Sequence, residues 1–384
     1  MIFRILEDQY GEKLRKAKAT ESRFMQLALA MGRRGLGASA PNPAVGAVIV
    51  KDDVIVGRGW TQPGGRPHAE VEALRRAGEA ARGATLYVTL EPCSHVGKKS
   101  PPCADAVIAA GITRVVSAIE DPTPEVAGQG HARLRAAGIS VDVGLCAIEA
   151  AHHHAGHFRR VRDKRPHVIL KLAVSSDGKI GAAGGTPVAI TGEAAKARVH
   201  LLRAQCNAIL VGIGTVLADD PLLTCRLPGL ETRSPVRVVL DRALRISGTS
   251  RLVQSARETP LWVMASDLAE APAAMKLGAA GAQVIRVPTA QGKPGLDLSA
   301  VLRDLSDRGT TRLMVEGGAR IASSFVAADL VDEAWLLRSL DPIGDDGVAA
   351  LGALPLTAIT ESQKFKVRAS ETLDQDTLAI YERV

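Results

Sequence analysis

The sequence predicts an α/β protein made of two successive layered units. Short apolar runs rich in Val and Ile alternate with stretches whose apolar residues recur every three to four positions, the strand and helix periods. Strands alternating with helices pack as layers. The alternation is interrupted by a His- and Arg-rich stretch at 147–164. At 384 residues the chain is long enough for two or three domains, each burying its own core. The expected division is an extension at 1–20, a first domain at 21–146, a linker helix at 147–164 and a second domain at 165–384.

Residues 1–20 read as a basic extension, mobile or helical. Glu21 to Arg34 is expected to be a helix, with Phe24, Leu27, Ala28, Ala30 and Met31 at helical spacing and Gly35 and Gly37 ending it. In Ala38 to Pro43, two prolines hold the backbone extended around Asn42. Ala44–Val50 and Val54–Arg58 form a hairpin. After a Gly/Pro loop, His68 opens a helix to Gly78. Then come a strand at Ala84–Leu90, a helix at Cys103–Ala110, a strand at Thr113–Ile119, a helix at Glu125–Ala137 and a strand at Ile139–Val143. In the second domain, strands are expected at His167–Val174, Asn207–Gly212, Val236–Leu240, Leu261–Ala265, Gln283–Val287, Arg312–Glu316, Glu333–Arg338 and Thr377–Arg383. Helices are expected at Thr191–Gln205, capped by Thr191, and at Leu298–Arg308 and Gly318–Ala328.

The net charge of +7 suits a nucleic-acid surface or pockets for phosphorylated small molecules. The basic residues form no long block, and aromatics, at 3%, are too few for base-stacking platforms. Small phosphorylated molecules are therefore the expected partners, with no nucleic acid. No apolar run reaches the roughly 18 residues of a membrane span, and the first 20 residues read as neither signal peptide nor anchor. Five cysteines, an odd number without the spacing of a secreted scaffold, point to a reducing cytosol.

The chemistry concentrates between Pro67 and Cys103. His68, Cys93 and Cys103 offer one imidazole and two thiols, and three protein ligands leave a fourth position on zinc open for water. Glu70 stands two residues after the histidine, placed to move that water's protons. H-x-E followed by P-C-x-x-C marks zinc deaminases; here nine residues separate Cys93 from Cys103. His95 is a rival ligand. Helix N-termini at the ligand segments should hold Cys93 and Cys103 as thiolates. His153 and His157, four residues apart, are either a metal pair or part of a solvated linker helix.

In the second domain, Val211-Gly212-Ile213-Gly214-Thr215 is not a dinucleotide fingerprint, because Leu217 stands where a third glycine is needed. Val315-Glu316-Gly317-Gly318-Ala319-Arg320 reads as a strand, a glycine pair and a helix start. That arrangement lets backbone N–H groups approach a phosphate.

The first domain resembles the cytidine-deaminase superfamily, and within it the bifunctional riboflavin-biosynthesis (RibD) family. The resemblance rests on Pro41-Asn42-Pro43 with Val45-Gly46, Gly64 to Val71, Thr89 to His95, Pro101-Pro102-Cys103, and Asp121-Pro122 with Val126-Ala127-Gly128. It implies a cytidine-deaminase-like three-layer domain with one zinc ion per chain on His68, Cys93 and Cys103, and Glu70 as proton donor. It also implies that Asn42 touches the pyrimidine and that Lys98, or its neighbour Lys99, contacts substrate. The inter-cysteine loop is one residue longer than the family's usual form. Thr61 replaces a common histidine, and Thr123 a common asparagine.

Residues 165–384 resemble the same family's reductase, which has a dihydrofolate-reductase-like fold. The matching residues include Lys171, Ala173, Ser175, Asp177-Gly178, Ile190-Thr191, Leu202-Arg203-Ala204, Gly212 to Pro221, Leu223-Thr224, Arg226, Arg237 to Asp241 and Glu316-Gly317-Gly318. The resemblance implies NADPH contacts at Ala173, Thr215, Asp219, Gly318, Ala319, Arg320, Ile321, Ala322, Ser323 and Ser324. It implies substrate contacts at Arg203, Leu223, Arg226 and Glu316. Pro187-Val188-Ala189-Ile190-Thr191 departs from the family's Ser-x-Trp-Ile-Thr, and Arg242 from a small polar residue.

The implied function is zinc-dependent deamination of a phosphoribosylamino-pyrimidine followed by NADPH-dependent reduction of its ribosyl group, in the cytoplasm, with a homo-oligomer as the expected assembly. A nucleic-acid deaminase would instead predict binding that weakens steeply with salt. A non-enzymatic zinc protein would predict a closed four-ligand site.

Overall fold

In the computed structural model, residues 19–95, 101–182, 188–292 and 295–384 are described. The expected extension, with Lys98, Lys99 and Pro187, lies outside them, apart from Ala19 and Thr20. The chain divides into two units between Lys164 and Arg165.

The first unit holds a five-stranded sheet in the order β2-β1-β3-β4-β5. Its strands are β1 Gly46–Lys51, β2 Val54–Trp60, β3 Thr85–Val88, β4 Arg114–Ser117 and β5 Ser140–Val143. Asp52 and Asp53, both at positive φ, make the two-residue hairpin turn between β1 and β2. β1 runs antiparallel to β2 and β3, whereas β3, β4 and β5 are parallel. The helix Ala19–Arg33 buries Phe24, Met25, Ala28 and Leu29 against the sheet, residues that return to one face every turn. A Cβ on Gly46 would lie 1.8 Å from Ala28 O, so glycine alone permits this helix–strand approach. Gly46 pairs with Trp60, which puts Gly57 and Gly59 on the opposite face. There the helix Ala69–Ala77 comes as close: a Cβ on Gly59 would lie 2.3 Å from Ala69 O. Helices therefore cover both faces of the hairpin, giving three layers.

The helix expected from Glu125 starts at Gln129, because Gly128 in front of it takes a left-handed conformation. The stretch 147–164 is two helices, Ala147–His153 and Ala155–Asp163, broken at His154. Both fall in the first unit, and Ala147, Ala150, Ala151 and Phe158 belong to its core.

The second unit holds a nine-stranded sheet in the order β10-β9-β8-β7-β11-β6-β12-β14-β13. The strands are β6 His167–Val174, β7 Ala208–Gly212, β8 Val236–Leu240, β9 Leu261–Ser266, β10 Gln283–Val287, β11 Arg312–Val315, β12 Glu333–Arg338, β13 Phe365–Leu373 and β14 Asp376–Arg383. β10 through β12 in that order are parallel; β14 and β13 close the edge as an antiparallel hairpin. Both faces of the parallel part are covered, as such sheets require. Val168, Leu170, Leu172 and Val174 of β6 pack into one core, and Ile169 into the other. Lys171 and Ala173 share the Ile169 face by strand alternation.

Several elements went unread in the sequence. β13 is an edge strand, mostly exposed and polar, so it shows no apolar pattern. The helices Ile213–Asp219, Arg251–Gln254, Ala271–Ala279 and Thr357–Thr360 are short. Thr191 is not an N-cap: Gly192 holds that position before the helix Glu193–Ala204, and Asp376 Oδ2 accepts its N–H at 2.7 Å. Among the described residues, no helix is long and apolar enough to cross a membrane.

Gly46→Ala should cost about 3 kcal/mol, the upper end of an overpacked core, because the obstacle is helix backbone. A fall in the urea midpoint of the first unit, with β6–β12 amide protection kept, is the expected reading.

Candidate active sites

His68 sits immediately before the helix Ala69–Ala77, and Cys103 opens the helix Cys103–Ala109. His68 Nδ1 lies 3.2 Å from Cys103 Sγ and 3.6 Å from Cys93 Sγ. All three ligand atoms lie within 4.8 Å of one another. Bonds of ~2.0 Å to nitrogen and ~2.3 Å to sulfur at a tetrahedral centre put those atoms about 3.5 Å apart. The donors therefore fit zinc in chemistry and in spacing. His95 lines the neighbouring cavity but is not part of the cluster.

Glu70, in the first turn of its helix, is buried, and its Oε2 has no partner. Burial pushes its carboxyl up to about 7, against the pull of His68. The two thiols sit in different surroundings. The hydrogen bond from Cys103 leads in holding the Cys93 thiol down to about 4, and the Cys103 N–H at the helix start donates to the same sulfur at 3.4 Å. Cys103, the partner in that hydrogen bond, is pushed up. The helix N-terminus thus serves Cys93 more than its own first residue.

Glu91, unread in the sequence, organises the loop beyond. Its Oε2 accepts the N–H of Asp121 at 3.2 Å and of Gly128 at 3.0 Å, and its Oε1 those of Gly130 at 2.8 Å and His131 at 3.1 Å. A Cβ on Gly130 would lie 2.0 Å from Pro92 O, so this loop lies directly on the zinc loop. A cavity of about 470 Å³ opens over His68, Glu70 and Cys93, with Asn42, Asp121 and Thr123 in its walls. Asn42 Nδ2 donates to Gly65 O at 2.8 Å, which fixes its amide. Thr61, also in the wall, accepts the Val45 N–H at 3.0 Å.

In the second unit, β11 is inserted between β6 and β7, and the strand order reverses there. Ligands of open α/β sheets bind beyond the carboxyl ends of strands at such a switch point. Glu316 follows β11 there. Its carboxylate meets Lys171 Nζ at 3.2 Å and Arg203 Nη2 at 2.9 Å. Burial pushes Glu316 up, but Lys171 and Arg203 outweigh it and bring the carboxyl to about 2. Arg203 also donates to Thr224 O at 3.0 Å, and the Arg226 N–H to His200 Nδ1 at 3.2 Å. Arg226 is exposed; Leu223, at positive φ, is buried beside it in sequence. Lys171 was expected only as part of a match. A charge on an otherwise apolar buried strand is the signal that marks it.

Gly318 stands at the start of the helix Ala319–Ala327 and donates its N–H to Thr215 Oγ1 at 3.2 Å. Two strand ends and two helix starts thus meet, the arrangement that receives a phosphate. The run 318–324 does not act as one surface. Ala322 is wholly buried in the core. Ile321 packs where a Cβ on Gly212 or Gly317 would sit, 2.7 Å away. Ser323 and Ser324 hydroxyls donate to Arg320 O at 3.1 and 2.7 Å. Gly318, Ala319 and Arg320 form the opening turn. Asp219 ends the helix Ile213–Asp219, one turn beyond Thr215 on the same face.

Residues 18–119 match the cytidine and deoxycytidylate deaminase zinc-binding region, and residues 166–379 match the RibD C-terminal domain. The molecule is therefore a zinc-dependent deaminase joined to a reductase, with a cytidine-deaminase-like and a dihydrofolate-reductase-like unit. Riboflavin biosynthesis protein RibD of Aquifex aeolicus is 39% identical over 94% of this chain and 98% of its own length. That of Escherichia coli is 42% identical over 89% and 94%. The structure of Acinetobacter baumannii RibD superposes with a TM-score of 0.83 at 35% identity, covering 95% of this chain and 99% of that one. A Thermotoga maritima diaminohydroxyphosphoribosylaminopyrimidine deaminase/5-amino-6-(5-phosphoribosylamino)uracil reductase gives 0.82 at 35% identity, with the same coverage. The chain belongs to the RibD family and is a bifunctional deaminase and reductase that uses zinc and NADPH.

Glu91→Gln replaces one acceptor oxygen by a donor facing two backbone N–H groups. Ammonia release should fall at least tenfold while NADPH oxidation on the deaminated substrate stays unchanged; parallel assays of the two reactions check this.

Proposed function

We propose that the first unit hydrolyses the 2-amino group from 2,5-diamino-6-(5-phosphoribosylamino)pyrimidin-4(3H)-one. The second unit then reduces the ribosyl side chain of 5-amino-6-(5-phosphoribosylamino)uracil to ribityl. The observation that carries this is the His68–Cys93–Cys103 cluster with the buried, unpartnered Glu70 Oε2 in the same cavity. The Thermotoga relative, named for this pair of reactions, supports the choice of substrate.

Zinc held by His68, Cys93 and Cys103 supplies a Lewis acid that makes a water nucleophilic at neutral pH. Glu70 takes a proton from the attacking water and gives it to a ring nitrogen. It passes a second proton to the leaving amino group, so that ammonia departs and C2 becomes a carbonyl. Asn42, its amide fixed by Gly65, orients the pyrimidine edge. Lys98 or Lys99 keeps its proposed substrate contact, outside the described residues.

NADPH bound in the second unit would supply a hydride for C1′ of the ring-opened sugar. The acceptor is the C1′=N bond in its protonated, cationic form. Glu316, held ionised by Lys171 and Arg203, stabilises that cation. Arg203 and Arg226 suit the phosphate, and Leu223 the substrate's apolar surface. Gly318, Ala319, Arg320, Thr215, Asp219 and Ala173 border the cofactor's place. The five free cysteines suit a reducing cytosol, and a homo-oligomer is the assembly that light scattering should find.

Glu70→Gln should keep its zinc and lose 10²- to 10⁴-fold in ammonia release, the worth of general acid–base catalysis. Full release by this variant would overturn the assignment. Chelating zinc should stop ammonia release and spare NADPH oxidation. Glu316→Gln should slow NADPH oxidation about 10²-fold, at the scale of one lost electrostatic contact in a transition state, with deamination untouched.

A further inference from the structure

The helix Ala155–Asp163 takes no part in the proton transfers, yet it forms a wall of the zinc cavity. His157, Arg160 and Val161 all line it. Their spacing, i, i+3 and i+4, places them on one helical face. That face is held in place by the histidines of the two helices. His157 Nε2 lies 3.2 Å from Asp121 Oδ1. His154 Nε2 pairs with Thr89 Oγ1 at 3.1 Å, and His153 Nε2 with Ala44 O. The helices are thus tied to three segments that build the site: the turn after Asn42, the strand leading to Glu91, and the loop of Asp121. These bonds replace both expectations for the His-rich stretch, a metal pair and a solvated linker.

The charges in the cavity wall show what this placement does. Glu91 accepts four backbone N–H groups, Asp121 Oδ1 is paired with His157 and the Thr123 N–H, and Glu125 is an exposed carboxylate of the wall. Among the described wall residues, the guanidinium groups come from Arg66 and Arg160. Arg66 is exposed at the cavity edge and Arg160 is partly buried. The substrate's pyrimidine must reach Glu70 and the cysteines, so its ribosyl phosphate extends away from them. A guanidinium binds a phosphate through two parallel hydrogen bonds, and remains charged at any working pH.

We propose that Arg160, assisted by Arg66, binds the 5′-phosphate of the deaminase substrate, so that the helix Ala155–Asp163 makes this unit select phosphorylated pyrimidines. The inference rests on the substrate assigned under Proposed function and adds the residues that read its phosphate.

The test compares deamination of the phosphorylated substrate with that of its dephosphorylated nucleoside. In Arg160→Gln, KM for the phosphorylated substrate should rise at least tenfold with kcat within threefold. KM for the nucleoside should not change. Arg66→Gln should shift the same way by less, and the double variant should erase the preference for phosphate. Arg160→Lys should recover part of it, while zinc content and unchanged kcat on the nucleoside report an intact first unit. In calorimetry of the zinc-loaded protein with ribose 5-phosphate, one binding event that is lost in Arg160→Gln and kept in Arg226→Gln tests the subsite whether or not turnover is seen. Equal loss on both substrates, or no loss on either, would overturn the proposal. Failure of the unaltered protein to release ammonia would count against the deaminase substrate instead.

Discussion

A carboxylate buried among backbone N–H groups is what the deaminase site depends on. Taking such a charge out of water costs several kcal/mol unless the protein replaces the lost hydration. Glu91 recovers part of it by accepting four N–H groups from residues 121–131, while burial still pushes its carboxyl up. Those bonds join the loop that carries Cys93 to the loop that carries Asp121. The zinc ligands and the substrate wall thereby become one piece of structure, and Asp121 in turn receives His157 from the helix behind it.

Two buried carboxylates, Glu91 and Glu70, and a half-buried one, Glu316, meet this cost in three ways. Glu91 is satisfied by neutral backbone donors and holds shape. Glu316 is satisfied by Lys171 and Arg203 and holds a fixed negative charge at a strand end. Glu70 is left with an orphan oxygen, and burial raises its affinity for a proton. An acid with one unpartnered oxygen is a poor structural element and a good proton carrier. The contrast separates scaffold, electrostatic anchor and acid–base group without appeal to position in the sequence.

The parts legible from sequence are those whose physics is local. His68 and Glu70 share a helix start, Cys93 and Cys103 flank a loop, and Gly318 precedes a helix. Most core strands showed as apolar runs. The parts that stayed hidden depend on distant backbone. Glu91 looks like one more residue before Pro92, because its partners lie 30 to 40 residues away. Lys171 becomes meaningful only when β11 is threaded beside β6 and brings Glu316 to it. β13 lacks an apolar rhythm because one side of it meets water. Thr191 has the chemistry of a cap, but Asp376, 184 residues from Gly192, supplies the carboxylate that the N–H uses.

The two helices at 147–163 have a consequence for how the two activities can be separated. From sequence, a free deaminase would end near residue 146, after the last strand of its sheet. The histidine anchors move that boundary. Ending there strips Thr89 and Asp121 of their imidazole partners, takes Ala150, Ala151 and Phe158 out of the core, and opens one side of the cavity. A cut that keeps this unit whole falls after Asp163. The stretch that reads as a spacer between two enzymes is the last structural element of the first.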